Sequence, residues 1–155
     1  MHRQLIDRYE AEAGDLRTVV AGLSREQLLA KPVPGTWSIQ QNVIHMVDCE
    51  LVFCDRMKRI IAMENPALPG FDENKYAAEL HYADQEANVA CDVFEKNRQL
   101  MLSVLRKLPD AAFERTGTHS ERGKQTLTDV LRYAVDHLQH HLKFAKEKRQ
   151  MVEKK

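Results

Sequence analysis

Proline and glycine punctuate this chain in three places, and the long stretches between them constrain its fold more than any other feature. Pro32, Pro34 and Gly35 form the first break, Pro66, Pro69 and Gly70 the second, and the stretch from Pro109 to Gly123 the third. Proline lacks an amide hydrogen and clashes with the preceding turn, so each cluster marks a helix boundary. No segment shows the strict alternation of a half-buried strand. Each of the four long segments instead carries apolar residues at intervals of three and four.

The first segment runs from about residue 2 to 21, with Leu5, Ile6, Tyr9, Ala13, Leu16 and Val20 at helical spacing. A short helix is predicted after Ser24, which has a capping-box partner in Gln27. The second long helix is predicted from Ser38, paired likewise with Gln41, to about Met63. The third runs from about Asp84 to Leu108 and carries Val89, Val93, Phe94, Leu100, Met101, Val104 and Leu105. The fourth begins after Thr126, a suitable N-cap, and continues past Phe144. Helices of about 20–26 residues measure roughly 30–39 Å, which suits an all-α four-helix bundle. The chain is read as a single domain over residues 1–155. About 20 residues separate the second and third helices, which is long for a hairpin and implies a crossover.

Charge and cysteine usage narrow the function. Lys and Arg number 23 and Asp and Glu also 23, so the formal net charge is zero. A chain that binds nucleic acid or anionic lipid through counterion release needs a basic surplus, which is absent. The basic C-terminal stretch is interrupted by Glu147 and Glu153 and reads as a solvated helix end. The N-terminus lacks the apolar core of a secretory signal, and the longest uncharged stretch, Pro32 to Val47, is too polar and proline-broken to span a membrane. Cys49, Cys54 and Cys91 form no CxxC spacing, so reduced thiols in the cytoplasm are expected.

Seven histidines stand against this neutral background, four of them between His119 and His141. In the fourth helix Leu127, Leu131, Ala134, Leu138, Leu142 and Ala145 make an apolar stripe. His137 and His141 share a face at its border, and His140 points towards the polar side. Two imidazoles four apart can reach one metal ion; equally, they can cap the edge of a core. His45 lies off the centre of the apolar arc of the second helix, beside Cys49 and Val52, and by periodicity alone is a partly exposed histidine. His2 and His81 read as surface residues. His119 sits in a turn-rich segment, either as a loop residue or at a mouth of the bundle, the loop being favoured.

Three pieces in order carry a resemblance. Pro34-Gly35-Thr36-Trp37-Ser38-Ile39 leads into the helix bearing His45, Phe94 and Arg98 stand in an F-x3-R spacing, and the last helix opens with Gly123, Thr126 and Leu127 and carries His137 and His141. From about residue 5 to 145 the chain resembles the DinB/YfiT-like superfamily of metal-dependent enzymes, most closely its DinB-type branch. The resemblance implies an up-down-down-up four-helix bundle, often a homodimer. It also implies a divalent metal held by His45, His137 and His141, which gives His45 a reason to turn inward.

Three neutral imidazoles leave such an ion, zinc or nickel, its full charge and an open coordination position. The implied activity is thiol S-transfer, with a low-molecular-weight thiol as cosubstrate, or hydrolysis of a small molecule. Asp48 and Glu50 are nearby candidates for a base or a supporting carboxylate, each alternatively a solvated surface residue. A non-catalytic stress-response bundle with a structural or vestigial metal site is the competing reading. No Glu is followed three residues later by His, which argues against a ferritin-like di-iron site. Motifs for a serine nucleophile or a nucleotide-binding loop are also missing.

Overall fold

The computed structural model describes residues 2–154. Its first long element is two helices, α1 (His2–Ala11) and α2 (Asp15–Val20), separated by a turn at residues 12–14. One continuous helix was the expectation. Gly14 explains the break, because glycine in a helix interior costs about 1 kcal/mol relative to alanine. The short α3 (Arg25–Leu29) follows, with the Ser24–Gln27 capping box formed. The other long helices are α4 (Ile39–Ala62), α6 (Ala87–Leu105) and α7 (Leu127–Glu153), and a short α5 (Glu73–Glu79) lies in the crossover. Ser38 and Thr126 each close a capping box at the starts of α4 and α7, which fixes where those helices begin and so the phase of every side chain they carry.

Side-chain pairs set the direction of each helix. Arg8 reaches Asp136 and Arg149 reaches the carbonyls of Thr18 and Val19, so the first element runs parallel to α7. Arg17 pairs with Asp92 and Glu95 while Arg106 pairs with Glu10, so the first element and α6 are antiparallel. Gln40 donates to the carbonyls of Tyr82, Ala83 and Gln85 just before α6, and Arg98 meets Glu50. Hence α4 and α6 are parallel. Asn42 meets His141 and Lys148 meets the Trp37 carbonyl, making α4 and α7 antiparallel. The result is an up-down-down-up four-helix bundle, and the crossover at residues 63–86 is what two parallel neighbours require.

Two features depart from the sequence reading. A small sheet caps the end of the bundle where α4 ends and α7 begins. Its strands are β1 (Ala67–Leu68), β2 (Thr116–His119) and β3 (Gly123–Thr126), with β1 parallel and β3 antiparallel to β2. These strands are too short to show alternation, which is why periodicity missed them. Gly117 is required there, since a Cβ would lie 2.9 Å from both the Leu68 side chain and the Pro66 carbonyl oxygen. The apolar residues of the third segment also divide between two faces. Phe94, Met101 and Leu105 are buried, whereas Val89, Val93, Leu100 and Val104 are exposed. The helix has two apolar stripes at similar spacing, and the one carrying the aromatic ring and Arg98 faces the core.

Arg98 is fully buried and joins all four long elements. Its guanidinium donates to the Tyr9 carbonyl at 3.1 Å, to Glu50 Oε2 at 3.0 Å and to the Ala134 carbonyl at 3.4 Å, and it lies over the rings of Tyr9 and Phe94. Replacing one partner of such a pair leaves the other charged and desolvated. Arg98→Met is therefore expected to lower the unfolding free energy by about 3–5 kcal/mol in urea titrations; a loss under about 1 kcal/mol would show that the ion pair is not what aligns the helices.

Candidate metal centre

The antiparallel seam of α4 and α7 brings His45, His137 and His141 together. The Ser38 cap starts α4 so that its second turn turns His45 inward, fully buried, beneath the Trp37 ring at 4.8 Å. His137 and His141 stand one turn apart on α7, their rings 4.4 Å from each other and 5.3 and 4.7 Å from that of His45. One ligand atom from each lies within 4.8 Å of the other two. Among the described residues, this is the group of His, Cys, Asp and Glu side chains placed closely enough to hold an ion. The partly exposed His45 expected from periodicity is thus corrected: an apolar arc fixes only the average direction of a helix face, and the ring occupies a polar notch within it.

Burial holds all three imidazoles in the neutral form. The His45 pKa is lowered to about 4, by desolvation first and by His141 second. That of His137 is lowered to about 3, by desolvation and then by His141 and His45. That of His141 is lowered to about 4, by desolvation and then by His140 and Lys148. Neutral imidazole is the form that offers a lone pair. His141 Nδ1 lies 3.0 Å from Asn42 Oδ1; because that oxygen can only accept, the ring nitrogen donates, leaving Nε2 free to ligate.

The remaining candidates are placed differently. Asp48 accepts a hydrogen bond from the Tyr82 hydroxyl at 2.5 Å and is half-buried. Glu50 is buried, and its partners are Tyr9, Cys54 and Arg98 rather than a histidine of the triad. Neither is a freely solvated surface carboxylate. The carboxylate that does approach the triad is Glu73, at the start of α5, with Oε2 3.7 Å from His45 Nε2. His140 is exposed, as its phase predicted, and lies edge-on to His141. His2 is half-buried, stacked on Phe113, and His81 occupies a left-handed turn with φ of 50°.

His119 corrects the loop reading. It ends β2, is buried, and its Nδ1 accepts the backbone amides of Glu121 and Arg122 at 3.1 and 3.3 Å. Two cavities flank the triad. One of about 230 Å³ runs from His137 past Cys49 and Phe53 to Arg56, His119 and Arg122. The other, of about 420 Å³, opens on the His141 side among Trp37, Asn42, His140, Phe144 and Lys148. Sequence reasoning gave Trp37 a place only in a motif and passed over Asn42 and Arg56. The signal for Arg56 was present, since positions 45, 49, 52 and 56 follow one helix face.

A sequence model of the DinB superfamily matches residues 8–145. The chain belongs to that superfamily. Among DinB relatives, a protein of Oceanobacillus iheyensis is 29% identical over 127 residues, covering 82% of this chain and 73% of its own length. A second, from Bacillus mycoides, is 27% identical over 142 residues, covering 89% and 82%. Both are provisionally named metal-dependent hydrolases. Among solved structures, YfiT of Bacillus subtilis, described as a probable metal-dependent hydrolase with an unusual four-helix bundle topology, superimposes with a TM-score of 0.90. It is 22% identical, and the match covers 97% of this chain and 87% of YfiT. The DinB-like YjoA of the same organism gives 0.67 at 16% identity, covering 96% and 91%.

The depressed histidines make stability depend on pH. In the unfolded chain imidazole takes up a proton near pH 6.5, whereas in the folded chain the three resist until about pH 3 to 4. Between those values the unfolded state binds more protons, so this contribution is complete above pH 6.5 and is lost as pH falls towards 4. Metal-free protein is expected to lose stability between pH 6.5 and 5, by at most about 2 kcal/mol for the fully buried His45 and less for the half-buried His137 and His141, read from denaturant midpoints. The His137→Gln/His141→Gln double variant should show a shallower slope; equal slopes would contradict the assignment.

Proposed function

We propose that this DinB protein is a metal-dependent enzyme acting on a small molecule, with His45, His137 and His141 as the ligands of one divalent ion, zinc or nickel. The observation that carries the reading is the open cluster: three neutral imidazoles converge with, among the described residues, no fourth ligating side chain in their group, and cavities adjoin two of them. Closed four-ligand sites are the structural pattern, and three protein ligands with an open position the catalytic one. A bound ion supplies Lewis-acid polarisation of a carbonyl and lowers the pKa of a water or thiol. The protein's own part is to keep the imidazoles unprotonated, to orient His141 through Asn42, and to wall the site with Trp37, Phe53 and Tyr133.

Hydrolysis is the preferred reaction, in keeping with the names of the relatives. Thiol S-transfer is the second reading. It uses the same open position and asks for a low-molecular-weight thiol as cosubstrate. Glu73, beside His45, is the carboxylate best placed to move a proton near the ligands; Asp48, already engaged by Tyr82, is less available. A homodimer in the cytoplasm is part of the same proposal.

Protein purified without a histidine tag is expected to carry about one equivalent of metal per chain, and His137→Ala less than about a tenth. Asn42→Ala is expected to weaken metal binding about 10–100-fold while preserving the fold, as loss of an orienting partner does. A panel of esters, amides and lactones, and a parallel panel of bacillithiol, glutathione and mycothiol with electrophiles, distinguishes the two reactions. Turnover that disappears on chelation and returns with zinc or nickel supports the enzyme. Full metal occupancy without turnover in either panel favours the non-catalytic bundle.

A further inference from the structure

The cavity beside His137 ends in two arginines that have no acidic partner. Arg56 is only 5% exposed, and its Nη2 donates to the Pro69 carbonyl at 2.7 Å. Its Nε is buried and unpartnered. Arg122 reaches across from the β2–β3 hairpin, donating to the Tyr133 hydroxyl at 2.9 Å with its guanidinium over that ring at 4.2 Å. Among the described residues, neither arginine has a carboxylate within 4.0 Å, although Glu73 and Glu121 stand at the exposed rim. Arg98 also has an unpartnered Nε, but its charge is met by Glu50. Arg56 meets a carbonyl and, at 5.9 Å, the face of the Phe53 ring.

A desolvated cation without a counter-ion is costly, and guanidinium groups recognise carboxylate and phosphate through charge-assisted, often paired hydrogen bonds. We propose that this end of the cavity is an oxyanion-binding subsite, where Arg56 and Arg122 receive a carboxylate or phosphate group borne by the substrate. His119 adds a donor: its Nδ1 already accepts two backbone amides, so its remaining hydrogen is on Nε2, in a ring that lines the same cavity. Arg56 follows His45 by about three turns on the same face of α4, and Arg122 is tied to Tyr133 one turn before His137. The subsite therefore shares one pocket of about 230 Å³ with His137, the triad member that lines it, and that volume fits a small organic acid rather than a polymer. The substrate class follows: an anionic small molecule whose charged group lies on the arginines while its reactive group lies at the histidines. This deepens the metal-enzyme reading and rests on it for the reactive end, whereas the subsite itself needs no metal.

Inorganic phosphate and succinate serve as probes, titrated separately into metal-free and zinc-loaded protein with the side-chain Nε–Hε resonances of arginine followed by NMR. The expected result is a saturable shift of the Arg56 Nε–Hε signal in both forms. Arg122→Gln, on the exposed hairpin, and Arg56→Lys should each weaken binding about tenfold or more. The two probes separate a phosphate-bearing from a carboxylate-bearing substrate, and saturation by either supports the subsite. No saturable shift below roughly 50 mM of either probe, or curves unchanged in Arg122→Gln, would overturn it. Normal metal content with no anion binding removes the subsite alone, whereas anion binding in a chain that takes up no metal removes the catalytic reading and leaves the subsite.

Discussion

The bundle depends on one buried guanidinium. Arg98, on α6, hydrogen-bonds the carbonyl of Tyr9 on α1, the carboxylate of Glu50 on α4 and the carbonyl of Ala134 on α7. Apolar packing between helices is tolerant of sliding, because Leu, Val and Met fill a seam in several registers. A charge in the same place is not, because its donors must each find an acceptor or remain desolvated. Glu50 lies just over one turn beyond His45, and Ala134 just under one turn before His137. The register that satisfies Arg98 is thus the register that sets His45 against His137 and His141.

That dependence explains why the triad needs little support of its own. His45 has no carboxylate ligand-orienter within its helix, and its close neighbours are Trp37, Cys49 and the other two rings. Rigid helices aligned by a remote ion pair hold it instead. Burial among these neighbours, with Glu73 at the rim 3.7 Å away, keeps His45 neutral. The Cys49 thiol, close to His45, is pushed well up by burial and by Glu73 and Asp48, so it stays protonated beside the ring. Asn42 is the exception: it acts on His141, the ligand facing the wider of the two cavities.

Most of the scaffold was legible because its signals are local. The capping boxes at Ser24 and Ser38 and the N-cap at Thr126 placed the helix starts, and the long connection predicted the crossover. The four-helix architecture follows from the proline and glycine breaks and the helical periodicity between them, and the superfamily from motif order. What periodicity could not supply was tertiary. His45 looked half-exposed because an apolar arc says nothing about a polar pocket cut into it. Val89, Val93, Leu100 and Val104 looked like core because α6 has two apolar faces and only packing chooses between them. His119 was read as a loop residue because strands of two and four residues carry no alternation, yet their pairing is what turns its ring into the cavity. Glu50 is close to His45 in sequence, whereas the helix turns it towards Arg98.

Zero net charge argued against a polyanionic partner, and the distribution of charge refines that argument. Many arginines are satisfied at the surface: Arg17 by Asp92 and Glu95, Arg25 by Glu86, Arg59 by Asp55 and Arg149 by Glu153. Those pairs cancel where water already screens them and leave little long-range field. Arg56 is the contrast, buried at a cavity wall where screening is weak, with the exposed Arg122 beside it; among the described residues neither has a carboxylate within 4.0 Å. A balanced charge gives no global basic surplus for an extended polyanion to answer. The arrangement favours a single small anion that fits the cavity, where a low dielectric makes one well-placed hydrogen-bonded charge pair count for more than several at the surface. Neutrality overall and selectivity for an acidic small molecule are therefore compatible, and the second follows from the buried guanidinium of Arg56 at the cavity wall.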